Sequence, residues 1–431
     1  MRLLCLSNGH GEDQIALRIL EALWLIAAQG TSDSVTIQVL PIVGDGGPYR
    51  RAGFTIVGPV QAMPSGGFIN MDNRQLMRDV QAGLLQLTIA QIRAVRAWHK
   101  AYPNEPALIL AVGDIVPLLF SWVSGANYAF VGTAKSEYYL RDESGWLNRN
   151  SWWDDRFEQL TGSVYLPWER WLMRKPACQA VFPRDSITTK TLQELGIAAF
   201  DVGNPMMDGL GDVGDQSTYP DDPNQPLTIA LLPGSRFPEA YENWETLIAA
   251  VMNLGSKINR SVKLLAALTP SADLTVLKQS LKNWQAISDQ SFQISELDHW
   301  TELILCPGKF VECIQQSHLA IAMAGTATEQ FVGLRKPVIT LPGKGPQFVP
   351  AFAEAQTRLL GASVHLVQDS TQVPETIQAL LANPERWSAI ASNGARRMGQ
   401  PGAAQRIAAF LYERLQQSTA AMTTITSEGR L

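Results

Sequence analysis

Four short segments of this chain set glycines, hydroxyls and charged side chains directly after runs of apolar residues. The first is Ser7-Asn8-Gly9-His10-Gly11-Glu12-Asp13, behind Leu3–Leu6. Gly9 and Gly11 let backbone approach a ligand, and a helix starting here offers free N–H groups and a positive dipole. His10, with an ordinary pKa of about 6.5, has the chemistry of a general base. A tight strand-to-helix turn with an exposed histidine explains the same residues. The second segment is Ala111-Val112-Gly113-Asp114. A carboxylate ending a buried strand suits acid–base work, and it equally suits the N-cap of the next helix.

The other two segments suit phosphate. Leu231-Leu232-Pro233-Gly234-Ser235-Arg236 ends a strand in a Gly-Ser turn that carries a guanidinium. Gly234, Ser235 and Arg236 could hold a diphosphate, because arginine presents planar paired donors to its oxygens. A plain surface turn is the alternative. Ala324-Gly325-Thr326-Ala327-Thr328-Glu329-Gln330 follows Leu319–Met323. Backbone and hydroxyls of Gly325, Thr326, Ala327 and Thr328 at a helix start again suit phosphate, and Glu329 or Gln330 is placed to reach a ribose hydroxyl. Taken alone it is a capped helix start; paired with the third segment it forms a nucleotide-diphosphate cradle.

These loops need strands and helices to carry them. Apolar strand runs (Leu3–Leu6, Val35–Ile42, Ala107–Val112, Tyr128–Val131, Ala180–Phe182) alternate with helical spacing, including a long amphipathic stretch from Gln75 to Lys100. Leu227–Leu232, Val262–Ala267, Leu319–Met323 and Val338–Leu341 repeat the rhythm in the second half. Alternating strands and helices predict mostly parallel, doubly wound sheets. The domains expected are 1–205, a linker over 206–226 rich in Gly, Asp and Pro, 227–403, a helix over 404–417, and a frayed tail over 418–431. Lys344, Gln347 and Gln356, after the strand Val338–Leu341, are further candidates for contact with the ligand of these loops.

The chain has 431 residues, 46% apolar and 17% charged, enough for two ordinary globular cores. A net charge of −5 argues against a dedicated nucleic-acid binder. Cys5, Cys178, Cys306 and Cys313 lack metal spacing and read as reduced, buried thiols. No secretory leader or membrane-spanning run is apparent, so a cytoplasmic location is expected, with peripheral membrane attachment an option. Between Ser144 and Pro176 the rhythm breaks: Trp146, Trp152, Trp153, Trp168 and Trp171 lie among Arg149, Arg156, Arg170, Arg174 and Lys175. Such a mixture suits a bilayer interface; a core-packing insert or a homodimer contact is the competing explanation.

The order SNGHGED, VGD, VGNP, LLPGSR, AGTATEQ resembles the lipid-A-disaccharide synthases, with LPGSR and the downstream GTAT its most specific part and similarity running from residue 3 to about 410. The resemblance implies the GT-B fold, two Rossmann-like domains facing across a cleft, and inverting glycosyl transfer. It also implies a UDP-sugar held by the C-terminal domain and a lipid or lipid-linked sugar acceptor held by the N-terminal one. Ser235, Arg236, Gly325 and Thr326 would sit on the diphosphate, and the last helix would cross back to the first domain. The chain departs from the family in having His10 in its first loop. A second departure is Gln330, in the slot where the family carries glutamate. His10 is then the expected base, with Asp114 as base or as the group orienting it. No cofactor or metal is expected, since no DxD motif ends a strand. The competing functions are a UDP-N-acetylglucosamine 2-epimerase-like enzyme and a non-catalytic nucleotide-sugar or lipid-binding protein.

Overall fold

The computed structural model describes residues 1–29, 34–61, 84–147, 161–211, 219–295, 298–343 and 350–428; the side chains of His10, Leu84 and 421–428 lie outside the description. The chain forms two compact units, Met1–Asp208 together with Gln400–Leu431, and Gly209–Gly399.

The first unit is built on β1 (Arg2–Ser7), β2 (Thr36–Pro41), β3 (Thr55–Ile56), β4 (Ala107–Gly113), β5 (Asn127–Gly132) and β8 (Cys178–Phe182). They form one parallel sheet in the order β3-β2-β1-β4-β5-β8. β1 is buried along its whole length, as a central parallel strand covered on both faces must be. A small hairpin, β6 (Arg141–Asp142) with β7 (Gly145–Trp146), stands apart from the sheet.

Helices cover both faces. On one lie α1 (His10–Gln29) and the last helix, α15 (Ala403–Glu428), where Ile15, Ile19 and Leu23 share a core with Ile407, Leu411 and Leu415. The short α2 (Gly47–Arg51) adds the buried Tyr49 to that core. On the other face α3 (Leu84–Lys100), α4 (Ile115–Ser124) and α5 (Pro167–Met173) bury Val95, Trp98, Leu118, Phe120, Leu172 and Met173 against Leu4, Ile109 and Tyr128. α6 (Ser186–Glu194) follows β8. Of the long helix expected over 75–100, Leu84–Lys100 is helical and 75–83 lie outside the described residues.

The described residues of the second unit form eight strands: β9 (Leu227–Leu232), β10 (Val262–Leu268), β11 (Gln285–Ala286), β12 (Ser291–Ser295), β13 (Trp300–Pro307), β14 (Leu319–Ala322), β15 (Val338–Thr340) and β16 (Val364–Leu366). Their order is β11-β12-β13-β10-β9-β14-β15-β16, with β11–β12 and β12–β13 paired antiparallel. α7 (Glu239–Val251), α8 (Leu254–Ile258), α9 (Leu274–Lys278), α10 (Phe310–Gln316), α11 (Thr326–Gly333), α12 (Pro350–Leu360), α13 (Val373–Leu381) and α14 (Pro384–Met398) surround it. The antiparallel edge and α14 were not expected from sequence. β12 is short, polar and only partly buried, so it lacks the apolar run that marks a central strand.

Two boundaries differ from expectation. Residues 206–226 are not a solvated linker throughout: Met206, Met207 and Leu210 are buried, because apolar side chains anchor a Gly- and Asp-rich backbone. The chain end is helical to Glu428 rather than frayed from 418, with hydroxyls of Ser418 and Thr419 bonded back to Arg414 O and Leu415 O. The Asp208 carboxylate holds the start of α15, accepting from the backbone N–H groups of Gly402, Ala403 and Ala404.

Candidate active site

In a doubly wound sheet the strand order reverses at one place, and the loops leaving the carboxyl ends of the two strands there part to form a crevice. In the first sheet that place lies between β1 and β4, and the loops are Asn8-Gly9 and Asp114. In the second it lies between β9 and β14, and the loops are Pro233–Arg236 and Met323–Gly325. All four segments singled out by their chemistry occupy the switch points of their own sheets.

At the first switch point, Asn8 Nδ2 donates to Asp114 Oδ2 at 2.9 Å. Asp114 Oδ1 accepts from the Val116 N–H at 2.8 Å, so this carboxylate does cap α4. The N-cap reading therefore holds: the cap fixes one oxygen, and the Asn8 amide orients the other. Gly113 is required between them, since a Cβ there would lie 3.3 Å from both Asn8 Cβ and Glu12 Cγ, at a φ of 131°.

Glu12 is a member of this cluster that the sequence reading passed over. Thr133, after β5, donates to Glu12 Oε1 at 3.3 Å. Burial raises the Glu12 pKa, and the nearby Asp114 charge adds to it. Burial likewise raises Asp114, with Glu169 adding and Lys135 and Asn8 opposing. Under the loop, Tyr49 donates to Ser7 Oγ at 2.7 Å and Ser7 Oγ donates to Asp13 Oδ1 at 2.6 Å. Burial pushes Asp13 up to about 6 against those hydrogen bonds. Three carboxyl groups on or beside the first turn of α1 thus hold protons more tightly than exposed ones would. Gly9 precedes and His10 begins α1; the His10 side chain lies outside the description, and Gly11 is exposed within the first turn.

At the second switch point the two loops are fastened together. Asn243, buried on α7, donates through Nδ2 to Pro233 O at 3.0 Å and Met323 O at 3.3 Å. Gly234, at φ 98°, passes close enough that a Cβ would meet Met323 O at 3.5 Å. Ser235 and Arg236 are exposed beyond this brace, and Arg236 O accepts from the Ala240 N–H at 2.8 Å. Gly325 is the N-cap of α11, with Thr326 exposed at its first position and Ala327 half-buried.

The remaining candidates divide by burial. Thr328 is fully buried and its hydroxyl donates to Ala324 O at 2.6 Å, so that proton is committed to the loop. Glu329 is buried and Gln330 half-buried. Gln356 is buried on α12 and donates to Ala324 O at 3.1 Å and Gly325 O at 3.3 Å, which makes it a brace of this loop. Lys344 and Gln347 lie outside the described residues. Asn243 was missed for a plain reason: it sits in mid-helix, and no local pattern marks a side chain that bridges two loops.

No protein-family model matches the chain, and no curated protein sequence matches it. Solved structures do. The fold is similar to CalG4, the calicheamicin glycosyltransferase, at 13% identity and TM-score 0.56, covering 96% of this chain and 98% of that one. It is similar to MnaA of S. aureus in a co-structure with UDP, at 12% identity and TM-score 0.53, covering 96% and 97%. A UDP-GlcNAc 2-epimerase from Neisseria meningitidis bound to UDP-GlcNAc aligns at 14% identity and TM-score 0.50, covering 96% and 100%. The chain therefore has the GT-B fold, made of two Rossmann-like α/β domains.

Proposed function

We propose that this protein is a UDP-sugar-dependent glycosyltransferase acting on a lipid or lipid-linked sugar acceptor, in the manner of the lipid-A-disaccharide synthases. The observation that carries the donor half is the paired loop at the second switch point. Asn243 holds the Gly234–Arg236 turn against the start of α11, which collects a guanidinium, a hydroxyl and the positive end of the helix dipole. That chemistry fits a diphosphate leaving group. Two of the similar structures hold UDP or UDP-GlcNAc, which supports a uridine nucleotide.

The acceptor half rests on the first unit. An acceptor hydroxyl attacks the anomeric carbon, the C1–O bond to UDP breaks, and the hydroxyl proton passes to a base. Asp114 has one oxygen fixed by its cap and the other by Asn8, and burial raises its basicity. His10, at the start of α1, is the other candidate. Arg236 and the α11 dipole stabilise the departing UDP electrostatically. Product of lipid A type, and a membrane-bound acceptor, belong to this proposal and follow from the family resemblance.

The likeness to UDP-GlcNAc 2-epimerase favours a second reading, in which the same donor site serves epimerisation. Incubation with UDP-sugars, with and without a total lipid extract, separates the two. Free UDP and a new glycolipid that both require the lipid support transfer. A changed sugar on intact UDP, formed without lipid, supports epimerisation. Absence of both, with UDP bound tightly, leaves a nucleotide-sugar-binding protein.

A further inference from the structure

From the outward side chains of α3, α4 and α5 we infer that this face of the first unit docks on an anionic lipid surface. The three helices lie side by side, α3 on α4 and α4 on α5. Their inward sides fill one core. Their outward sides carry Leu85 and Ile89 on α3, Leu119 and Trp122 on α4, and Trp168 and Trp171 on α5, with exposures between 38% and 66%. Trp122 and Trp171 pack edge to face at 5.2 Å, so the residues of neighbouring helices form one patch. Large side chains left together in water mark a contact surface.

Charge identifies the occupant. On α3 the exposed stripe runs Leu85, Ile89, Arg93, Arg96, Lys100, at the three- and four-residue spacing of one helix face. After Trp168 and Trp171 come Arg174 and Lys175, with the Lys175 ammonium 3.5 Å from the Trp171 ring centroid. α3 and α4 contain no carboxylate, and the single one in α5, Glu169, is buried against Lys135. An apolar band with a cationic border, in a chain of net charge −5, fits acyl chains bordered by anionic headgroups. A second copy docked through this face would bring no carboxylate from these helices to answer the cations.

Topology gives the surface a use. α4 starts at the carboxyl end of β4 beside Asp114, and α3 runs back to the amino end of β4. Leu85 and Ile89, in the first turns of α3, therefore lie toward the sheet edge that carries the Asn8–Asp114 loops, while Trp122, in the last turn of α4, lies toward the other edge. A bilayer lying along the whole face would reach the Asn8–Asp114 edge at Leu85 and Ile89. The surface stands on its own side chains; delivery of a lipid acceptor from it rests on the proposed transfer reaction.

Vesicle flotation of the full chain tests the inference. Wild type should float with vesicles of equal parts phosphatidylcholine and phosphatidylglycerol and stay behind with phosphatidylcholine alone. Trp168→Ser with Trp171→Ser should abolish flotation, and Arg93→Glu with Lys100→Glu should weaken it by about fivefold or more per position. Trp24→Ser, on an equally exposed residue of α1 over the opposite sheet face, should change nothing. Thermal melts identify any variant that fails to fold, and the charge variants then carry the test. Wild type that ignores anionic vesicles overturns the inference, as does an equal loss in Trp24→Ser. So does light scattering that shows a dimer dissociated by the paired Trp substitutions. UDP calorimetry on the same samples keeps the readings apart: vesicle binding without UDP binding removes only the donor site, and the reverse removes only this surface.

Discussion

Asn8 and Asp114 are 106 residues apart in the chain and joined by a 2.9 Å hydrogen bond. The bond crosses the crevice between β1 and β4 and aims one carboxylate oxygen while the backbone of Val116 holds the other. It separates capping from chemistry. Asp114→Asn keeps a good N-cap, so the melting temperature should stay close to wild type. If the carboxylate is the base, turnover should nonetheless fall by ~10²–10⁴. Asn8→Ala removes a hydrogen bond that lowers the Asp114 pKa, so the acidic limb of the rate–pH profile should move to higher pH. An unmoved limb assigns the proton to another group.

His10 is the other proposed base. His10→Ala should lower turnover by ~10²–10⁴ with UDP affinity unchanged, because the loops proposed to hold the diphosphate belong to the second unit. Near-wild-type rates in both His10→Ala and Asp114→Asn would dismiss the acid–base scheme while leaving the donor site intact.

Asp13 makes stability depend on pH. Its pKa is pushed from 3.8 to about 6 in the folded protein, so between those values the native state binds more protons than the unfolded chain. The slope of unfolding free energy with pH is then negative, and this contribution to stability is lost as pH rises from about 4 to about 6. Glu12 and Asp114 act with the same sign. Asp13→Asn should flatten the curve; urea melts across that range would show it, and an identical slope in the variant would clear Asp13.

Arg236 is the donor-site test. Loss of charge-assisted hydrogen bonds in Arg236→Ala should weaken UDP binding by roughly ten- to a hundredfold. Calorimetry giving an unchanged Kd would take this residue out of the site.

Asn243→Ala should do two things at once. Two buried carbonyls, of Pro233 and Met323, lose their donor, at a stability cost of about 1–3 kcal/mol. The two loops proposed to bind phosphate also lose their common anchor, so UDP affinity should fall although Asn243 is buried. A destabilised variant with wild-type UDP affinity would make it a purely structural brace.

The buried runs Leu3–Leu6, Ala107–Val112, Leu227–Leu232 and Leu319–Ala322 announce parallel strands by themselves, because only a strand covered on both faces tolerates unbroken apolar sequence. Gly9, Gly113 and Gly234 mark where three of those strands end, since a positive φ is a local demand that a residue type answers. Strand order is not local. It is decided by which helices pack on which face, and it is the order that sets β1 beside β4 and β9 beside β14, so that loops distant in sequence meet. Glu12, Asn8 and Asn243 gain their partners only through that meeting. Thr328 shows the converse: a hydroxyl that suits phosphate by type is spent on Ala324 O once the helix folds. Leu119 and Trp122 belong to an almost wholly apolar helix, yet packing turns them outward. Which side of an apolar helix meets the core depends on the neighbour it packs against, and that neighbour is chosen by the tertiary fold.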